Sequence, residues 1–217
     1  MNHDLEARVK AIAGIPFFPD LKSRWLAHHD LGARFGCGIE LELEPGQYYP
    51  VHRHAGVERV IYVREGEGAH DGSGGTHALV QHDVLVLNRD EWHGFTNTSS
   101  ARARIWLLYA PVVTFPADAY ELQSARSTSL GTLTKRNLLS VADDPTISVP
   151  ERGFVNMRVL WDGAKGANFV TFGRAFFRPE ARHRWHRHPK GDEHIHRSRR
   201  LGSHCGGPPD RNATWLL

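Results

Sequence analysis

The chain has 217 residues and a mass of 24.4 kDa, with 40% hydrophobic and 24% charged residues, which is ordinary globular composition. No uninterrupted apolar run nears the about 18 residues that a helical membrane span needs, and the first residues show no charged-then-apolar leader. Cys37 and Cys205 are too few for a disulfide framework, so the expected location is cytoplasmic.

The formal charge of +3 is unevenly placed: residues 181–217 hold eight Lys or Arg against three Asp or Glu, and the remainder is slightly acidic. A nucleic-acid surface on the main body is therefore not expected.

The expected layout is a helical segment at 1–30, a β-structure at 31–115, a connection at 116–150, a second partial β-structure at 151–195 and a basic tail at 196–217. Asp4 to Ala13 reads as a short amphipathic helix that stops near Gly14, and Asp20 to Leu26 as a further helical turn or two. From Gly38 the period changes to two, with Ile39, Leu41 and Leu43 alternating with Glu40, Glu42 and Glu44. Further strands are expected at Arg59–Val63, Ala78–Val80, Val84–Leu87 and Ile105–Tyr109, separated by Gly, Asp and Asn clusters. Short strands with no helix between them predict an all-β antiparallel sandwich or barrel. Pro111 to Glu151 is rich in Ser, Thr, Ala and Asp, with a helix-capable stretch from Ala117 to Ala125. Strand patterning resumes at Phe154–Leu160 and Phe169–Phe177.

The sharpest signal lies in the 15 histidines. In the segment from Gly46 to Glu58, His52 and His54 are two apart and share one face of a strand. Glu58 opens the next strand, where a turn brings its carboxylate back toward the imidazoles. His93, in Asp90-Glu-Trp-His-Gly-Phe-Thr-Asn97, is a fourth candidate. Two or three neutral imidazoles and a carboxylate suit a first-row divalent ion with coordination positions left open.

These residues resemble the cupin superfamily. Gly46, His52, His54, Glu58 and Gly66 follow its first motif in order, with Gly66 one residue later than the strict pattern. His93 and Asn97 follow its second motif, while His82, Asn88 and Asp90 stand at that motif's Gly, Pro and Gly positions. The resemblance covers residues 38–110. It implies a jelly-roll β-barrel with a metal in its mouth, held by His52, His54, Glu58 and His93. Fe(II) is the leading metal, with Mn, Zn or Ni as alternatives.

A second copy of the first motif begins later. Pro179, His186, Arg187 and His188 lie on Pro45, His52, Arg53 and His54, with Glu193 one residue later than Glu58's place. The chain thus resembles a bicupin. The step of 41 residues from His52 to His93, repeated from His186, passes beyond Leu217, and the residues after Ile195 read poorly as strand. The expectation is a second barrel truncated by a frameshift or a misplaced gene end, and the nucleotide sequence decides it; a disordered basic tail is the alternative. His183, His194 and His196 read as surface histidines. An incomplete barrel exposes strand edges, so a homodimer is expected to be accessible.

The ligands alone choose no reaction. The leading expectation is a metal-dependent enzyme of dioxygenase type acting on a small organic substrate. The alternatives are a non-catalytic small-molecule or sugar binder, or a cupin isomerase or decarboxylase. Tyr48, Tyr49, Trp92 and Phe95 are candidates for an apolar wall around the substrate, or simply for barrel packing. Arg53 and Arg59 have the chemistry to pair a substrate carboxylate. Alternation, however, sends Arg53 outward, and Arg59, adjacent to inward Glu58, is placed outward with it. Glu91 is expected to face away, His70 and His77 fit a place near the site or at the surface equally well, and the acid/base residue stays unassigned.

Overall fold

The computed structural model describes residues 20–111, 121–122, 134–137, 148–150, 155–177, 189, 191–192, 194–197 and 212–216. The helix expected at Asp4–Ala13 lies outside the described residues, as do His183, His186, His188, Glu193, His204 and Cys205. Among the described residues no helix is long and apolar enough to cross a membrane. The chain divides into two compact units, Met1–Asn137 and Leu138–Leu217.

In the first unit the strands are β1 (Lys22–Ala27), β2 (Cys37–Leu43), β3 (Tyr48–Arg53), β4 (Glu58–Glu65) and β5 (Glu67–Gly72). They continue as β6 (Gly75–Val80), β7 (Asp83–Leu87), β8 (His93–Thr96), β9 (Ala103–Ala110), β10 (Glu121–Leu122) and β11 (Thr134–Asn137). They form two antiparallel sheets, ordered β1-β2-β9-β4-β7-β11 and β10-β3-β8-β5-β6. The all-β antiparallel expectation holds. Ile39, Leu41 and Leu43 face inward and pack with Ile61, Val63, Leu85, Ile105 and Leu107, while Tyr49, Leu79 and Phe95 reach the same core from the other sheet. Glu40 and Glu42 alternate to the outer face, where Glu40 accepts hydrogen bonds from Trp106 Nε1 (2.7 Å) and Arg24 Nη2 (2.9 Å).

Two helical readings are corrected. Residues Lys22–Ala27 are strand β1, paired with β2 through Trp25↔Ile39 and Lys22↔Glu42. Leu21 and Trp25 are four apart, a spacing that fits a helix face and also one face of a strand. The exposed edge of β2 settled it by pairing. Within the helix-capable Ala117–Ala125 stretch, the described part is strand β10, paired with β3. β11 likewise pairs with β7. The described parts of the expected connection thus extend the edges of both sheets.

Two turns keep a backbone that the side chains oppose. His82 and Asp90 have φ of 72° and 65°, and they stand at the two positions that the second cupin motif gives to glycine. A non-glycine residue in this left-handed region costs about 1–2 kcal/mol. Local hydrogen bonds offset part of that cost. His82 N–H donates to Val63 O (2.8 Å), its Nδ1 meets Tyr62 Oη at 3.0 Å, and Asp90 Oδ1 accepts from Gly56 N–H at 2.8 Å. The turn path survives without its glycines.

The second unit contains β12 (Ser148–Pro150), β13 (Val155–Trp161), β14 (Phe172–Phe177), β15 (His194–Arg197) and β16 (Asn212–Leu216), in the order β12-β13-β14-β16-β15. Among the described residues after Ile195, 196–197 and 212–216 are strand, against the expectation at those positions. β16, from the basic tail, pairs with both β14 and β15, so its main-chain groups supply the partner that their side-chain pattern conceals. The unit also repeats a local device of the first. A 3₁₀ turn at His29–Leu31, capped by His28 and left-handed Gly32, joins β1 to β2, and one at Gly163–Lys165, capped by Asp162 and left-handed Gly166, joins β13 to β14. The step from His28 to Asp162, from Gly32 to Gly166 and from His52 to His186 is the same 134 residues.

The strain at His82 yields a direct expectation. His82→Gly and His82→Val both lose the Tyr62 contact, but only valine keeps a β-branched side chain at positive φ. Urea unfolding should find the valine variant about 1–2 kcal/mol less stable than the glycine variant. Equal stabilities would show that the turn carries no strain.

Candidate metal centre

β3 and β8 are neighbours, and their register places His52 directly opposite His93. The register breaks between Tyr49 and His52, so these two residues, three apart, both turn inward. His54 follows at the end of β3. The three imidazoles are buried, and one nitrogen from each lies within 4.8 Å of the other two.

Their tautomers follow from the backbone. His52 Nδ1 meets Pro50 O at 2.7 Å, and His93 Nδ1 meets Glu91 O at 2.9 Å. Each carbonyl can only accept, so each Nδ1 carries the hydrogen and donates it. A neutral imidazole has one N–H, so both Nε2 atoms present lone pairs, and they face each other at 3.0 Å. Burial, and then the charge of Arg59, pushes both imidazoles well below their usual basicity, so no second proton sits between them near neutrality. Two nitrogens each about 2.1 Å from one ion at a right angle lie about 3.0 Å apart. The backbone carbonyls thus fix the orientation of both rings, as outer hydrogen-bond partners do for histidines aimed at an ion.

Glu58, the fourth residue of the expected set, is fully buried but does not fall within that converging group among the described residues. It opens β4 opposite Ala110, on the strand face it shares with Val60 and Tyr62. The inward face of β4 is Arg59, Ile61 and Val63, opposite Tyr109, Leu107 and Ile105. Arg59 is only 1% exposed; its Nη1 lies 3.3 Å from His52 Nε2, and its guanidinium carbon lies 3.9 Å from the Tyr109 ring centroid. Tyr49 Oη donates to His52 Nε2 at 2.8 Å and lies 3.4 Å from Tyr109 Oη. Burial pushes the Tyr49 phenol above its usual value, which keeps it a neutral donor. Arg59, Tyr49 and Tyr109 therefore complete the site. One signal in the sequence pointed to Arg59: with Gly66 one residue late, the strict motif spacing counted back from it falls on 59, not 58.

The remaining candidates scatter. Tyr48 is 61% exposed, while Phe95 is buried in the core beside Tyr49. Arg53 leaves the core, as expected, and its guanidinium carbon lies 4.9 Å from the Trp92 ring centroid. Glu91 contributes its carbonyl to His93, while its carboxylate accepts from Asn88 N–H at 2.9 Å. Asn97 ties its turn together, donating to Leu43 O and Ala101 O and accepting from Ser99. A second cluster that the sequence reading passed over, His28, His29 and Asp30, sits at the 3₁₀ turn, where His28 Nδ1 caps Asp30 N–H at 3.2 Å.

The donor set fits a divalent ion held by three imidazoles, with the remaining positions open and the Arg59 guanidinium beside His52. Residues 39–109 match the cupin domain family Cupin_2. No curated protein matches the sequence. Among solved structures, protein Ylba from E. coli is similar at 17% identity and a TM-score of 0.55, over 88% of this chain and 67% of that one. An oxalate decarboxylase variant from Bacillus subtilis is similar at 10% identity and a TM-score of 0.52, over 73% of this chain and 54% of that one. The chain thus spans about half the length of that enzyme. A conserved protein with a double-stranded β-helix domain from Klebsiella pneumoniae shares 16% identity at a TM-score of 0.41, over 56% of this chain and 95% of that one. At such identities the likeness concerns the fold alone.

Of the two places left open for His70, the structure gives the interior. It lies opposite Phe95 on the inward face of β5, with 0% exposure and no hydrogen-bond partner on either ring nitrogen among the described residues. His77, its cross-strand neighbour, is half-buried, with Nε2 2.9 Å from Gly74 O. Burial, with a smaller push from His77, lowers His70 to about 4. Its unfolded value is near 6.5. The unfolded chain therefore binds the extra proton first, and stability falls as the pH drops from about 6.5 toward 4. His70→Leu should flatten that acid limb by on the order of 3 kcal/mol, read by urea unfolding across the window. An unchanged pH profile would show that His70 titrates normally.

Proposed function

From a chain whose residues 39–109 match the cupin domain, we propose a metal-dependent enzyme acting on a small organic substrate, of dioxygenase type with Fe(II) as the leading metal. The observation that carries the reading is the pair of Nε2 lone pairs facing each other at 3.0 Å with His54 beside them. The three buried rings bring one nitrogen each to a common place, and a divalent ion would engage them together. His52, His54 and His93 hold the ion, and the carbonyls of Pro50 and Glu91 fix the ring orientations.

A bound divalent ion of this kind supplies Lewis acidity and, as Fe(II), a place where substrate and dioxygen meet. The protein residues do the rest. The Tyr49 hydroxyl donates to the His52 lone pair. Once the imidazole is engaged elsewhere, that hydroxyl is released as a neutral donor toward a substrate oxygen or toward Tyr109. The buried walls of Tyr49, Tyr109 and Phe95 exclude water from the reacting groups.

The shared 134-residue step from His28 to Asp162 and from His52 to His186 supports a bicupin ancestry. A non-catalytic small-molecule binder is the second reading, favoured by the guanidinium that already occupies one side of the His52 nitrogen.

Metal analysis of purified protein tests the ligand set. His52→Ala and His93→Ala should lose stoichiometric metal with the β-sheet circular dichroism retained, whereas Glu58→Gln should hold metal as the parent does. Full metal content in the histidine variants would remove the assignment. Oxygen uptake by iron-reconstituted protein with aromatic and keto acids then separates the two readings: turnover supports the enzyme, and binding without turnover under any metal supports the binder.

A further inference from the structure

The turn between β1 and β2 carries more chemistry than its backbone needs. Leu31 N–H donates to His28 O (2.9 Å), Gly32 N–H to His29 O (2.9 Å) and Ala33 N–H to His28 O (3.1 Å). The turn between β13 and β14 repeats all three bonds 134 residues on, from Lys165 to Asp162 (2.9 Å), Gly166 to Gly163 (3.3 Å) and Ala167 to Asp162 (3.0 Å). Gly163 and Ala164 stand there in the places of His29 and Asp30. The main chain and a left-handed glycine thus build this turn without an imidazole or a carboxylate at those two positions.

In the first turn His28, His29 and Asp30 nevertheless converge, each bringing one ligand atom within 4.8 Å of the other two. The Asp30 carboxylate reaches both rings, with Oδ1 2.8 Å from His29 Nε2 and Oδ2 3.5 Å from His28 Nδ1. Neighbouring donors about 2.1 Å from one ion lie about 3.0–3.4 Å apart, between right-angled and tetrahedral geometry, so these spacings need little adjustment. His28 Nδ1 accepts from Asp30 N–H at 3.2 Å, so that atom carries a lone pair. The bond is at the long end of its range, and in the second turn Asp162 caps Lys165 N–H instead, so the turn does not depend on it. Trp25 packs on the His28 ring with centroids 4.4 Å apart, while His29 and Asp30 are open to solvent, from which an ion enters directly.

We propose that His28, His29 and Asp30 form a second, solvent-facing metal site that takes a borderline divalent ion such as Zn(II) or Ni(II) on two imidazoles and one carboxylate. It is separate from the buried histidines and stands or falls without them. The ion replaces Asp30 N–H at His28 Nδ1 and ties the end of β1 to its turn. With its other positions in water it exchanges on dialysis. Metal analysis of purified protein therefore reports the buried centre, and titration with added ion reports this one.

Nickel chloride is titrated into the dialysed full chain, as parent and as His52→Ala, and followed by tryptophan emission, which a bound nickel ion quenches. Both proteins should show a saturable quench that Trp25→Phe removes, and added zinc should displace the nickel and restore the emission. His29→Gln and Asp30→Asn, at solvent-facing positions, should each raise the nickel midpoint at least about tenfold. His28→Asn, which keeps a capping side chain, should do the same. An unchanged midpoint in His29→Gln and Asp30→Asn would mean an ion pair and a cap only, and would overturn the site. Quenching as strong in Trp25→Phe as in the parent would place the ion among other histidines and overturn it likewise. Loss of the buried metal with the Trp25 response intact would remove the buried centre alone.

Discussion

The centre of this molecule depends on two hydrogen bonds from imidazole to main chain. His52 and His93 each donate Nδ1–H to the carbonyl of the residue two positions earlier, Pro50 and Glu91. The same short-range device on two adjacent strands points both Nε2 lone pairs at one place. Nothing in that arrangement requires a long-range contact to choose the tautomer; the long-range part is the register that sets the two rings opposite each other. The irregularity between Tyr49 and His52 belongs to the same construction, because it brings a hydroxyl and an imidazole that regular alternation would separate onto one side of the sheet.

Around that centre the fold tolerates unusual choices where local chemistry compensates. His82 and Asp90 take the left-handed turn positions that glycine occupies in the motif, and each is tied by its own hydrogen bond. At Gly68 no such exchange is open, since an added Cβ would lie 2.3 Å from Thr96 O and 2.4 Å from the Phe95 ring. One kind of glycine in this sheet serves conformation and can be replaced at a cost in strain. The other serves proximity, and a side chain there displaces the aromatic wall of the site.

The three converging histidines were legible because their signal is local: a two-residue spacing on a strand, and a Trp-His-Gly-Phe segment within reach of it. The alternating Ile39, Leu41 and Leu43 were legible for the same reason, as one face is wet and the other dry. β4 offered no such contrast. Val60, Ile61, Tyr62 and Val63 are buried on both faces, so their pattern carries no parity, and Glu58 and Arg59 were equally able to point inward. Leu21 and Trp25 were ambiguous in another way, their spacing of four being shared by helix and strand. β15 and β16 read poorly because strands of polar composition declare themselves only through a partner.

The amino-acid sequence by itself determined the all-β class, the position of most strands in residues 38–110, and the three imidazoles that meet. These follow from periodicity and spacing over a few residues. Tertiary structure decided which of two consecutive charged residues enters the site. A strand that is apolar on both faces has its parity set by pairing: Tyr109 opposite Arg59, and Ala110 opposite Glu58. A shift of one residue would exchange a carboxylate for a guanidinium. The charge of the centre is therefore a property of register, which is established between strands nearly fifty residues apart and is written in neither of them alone.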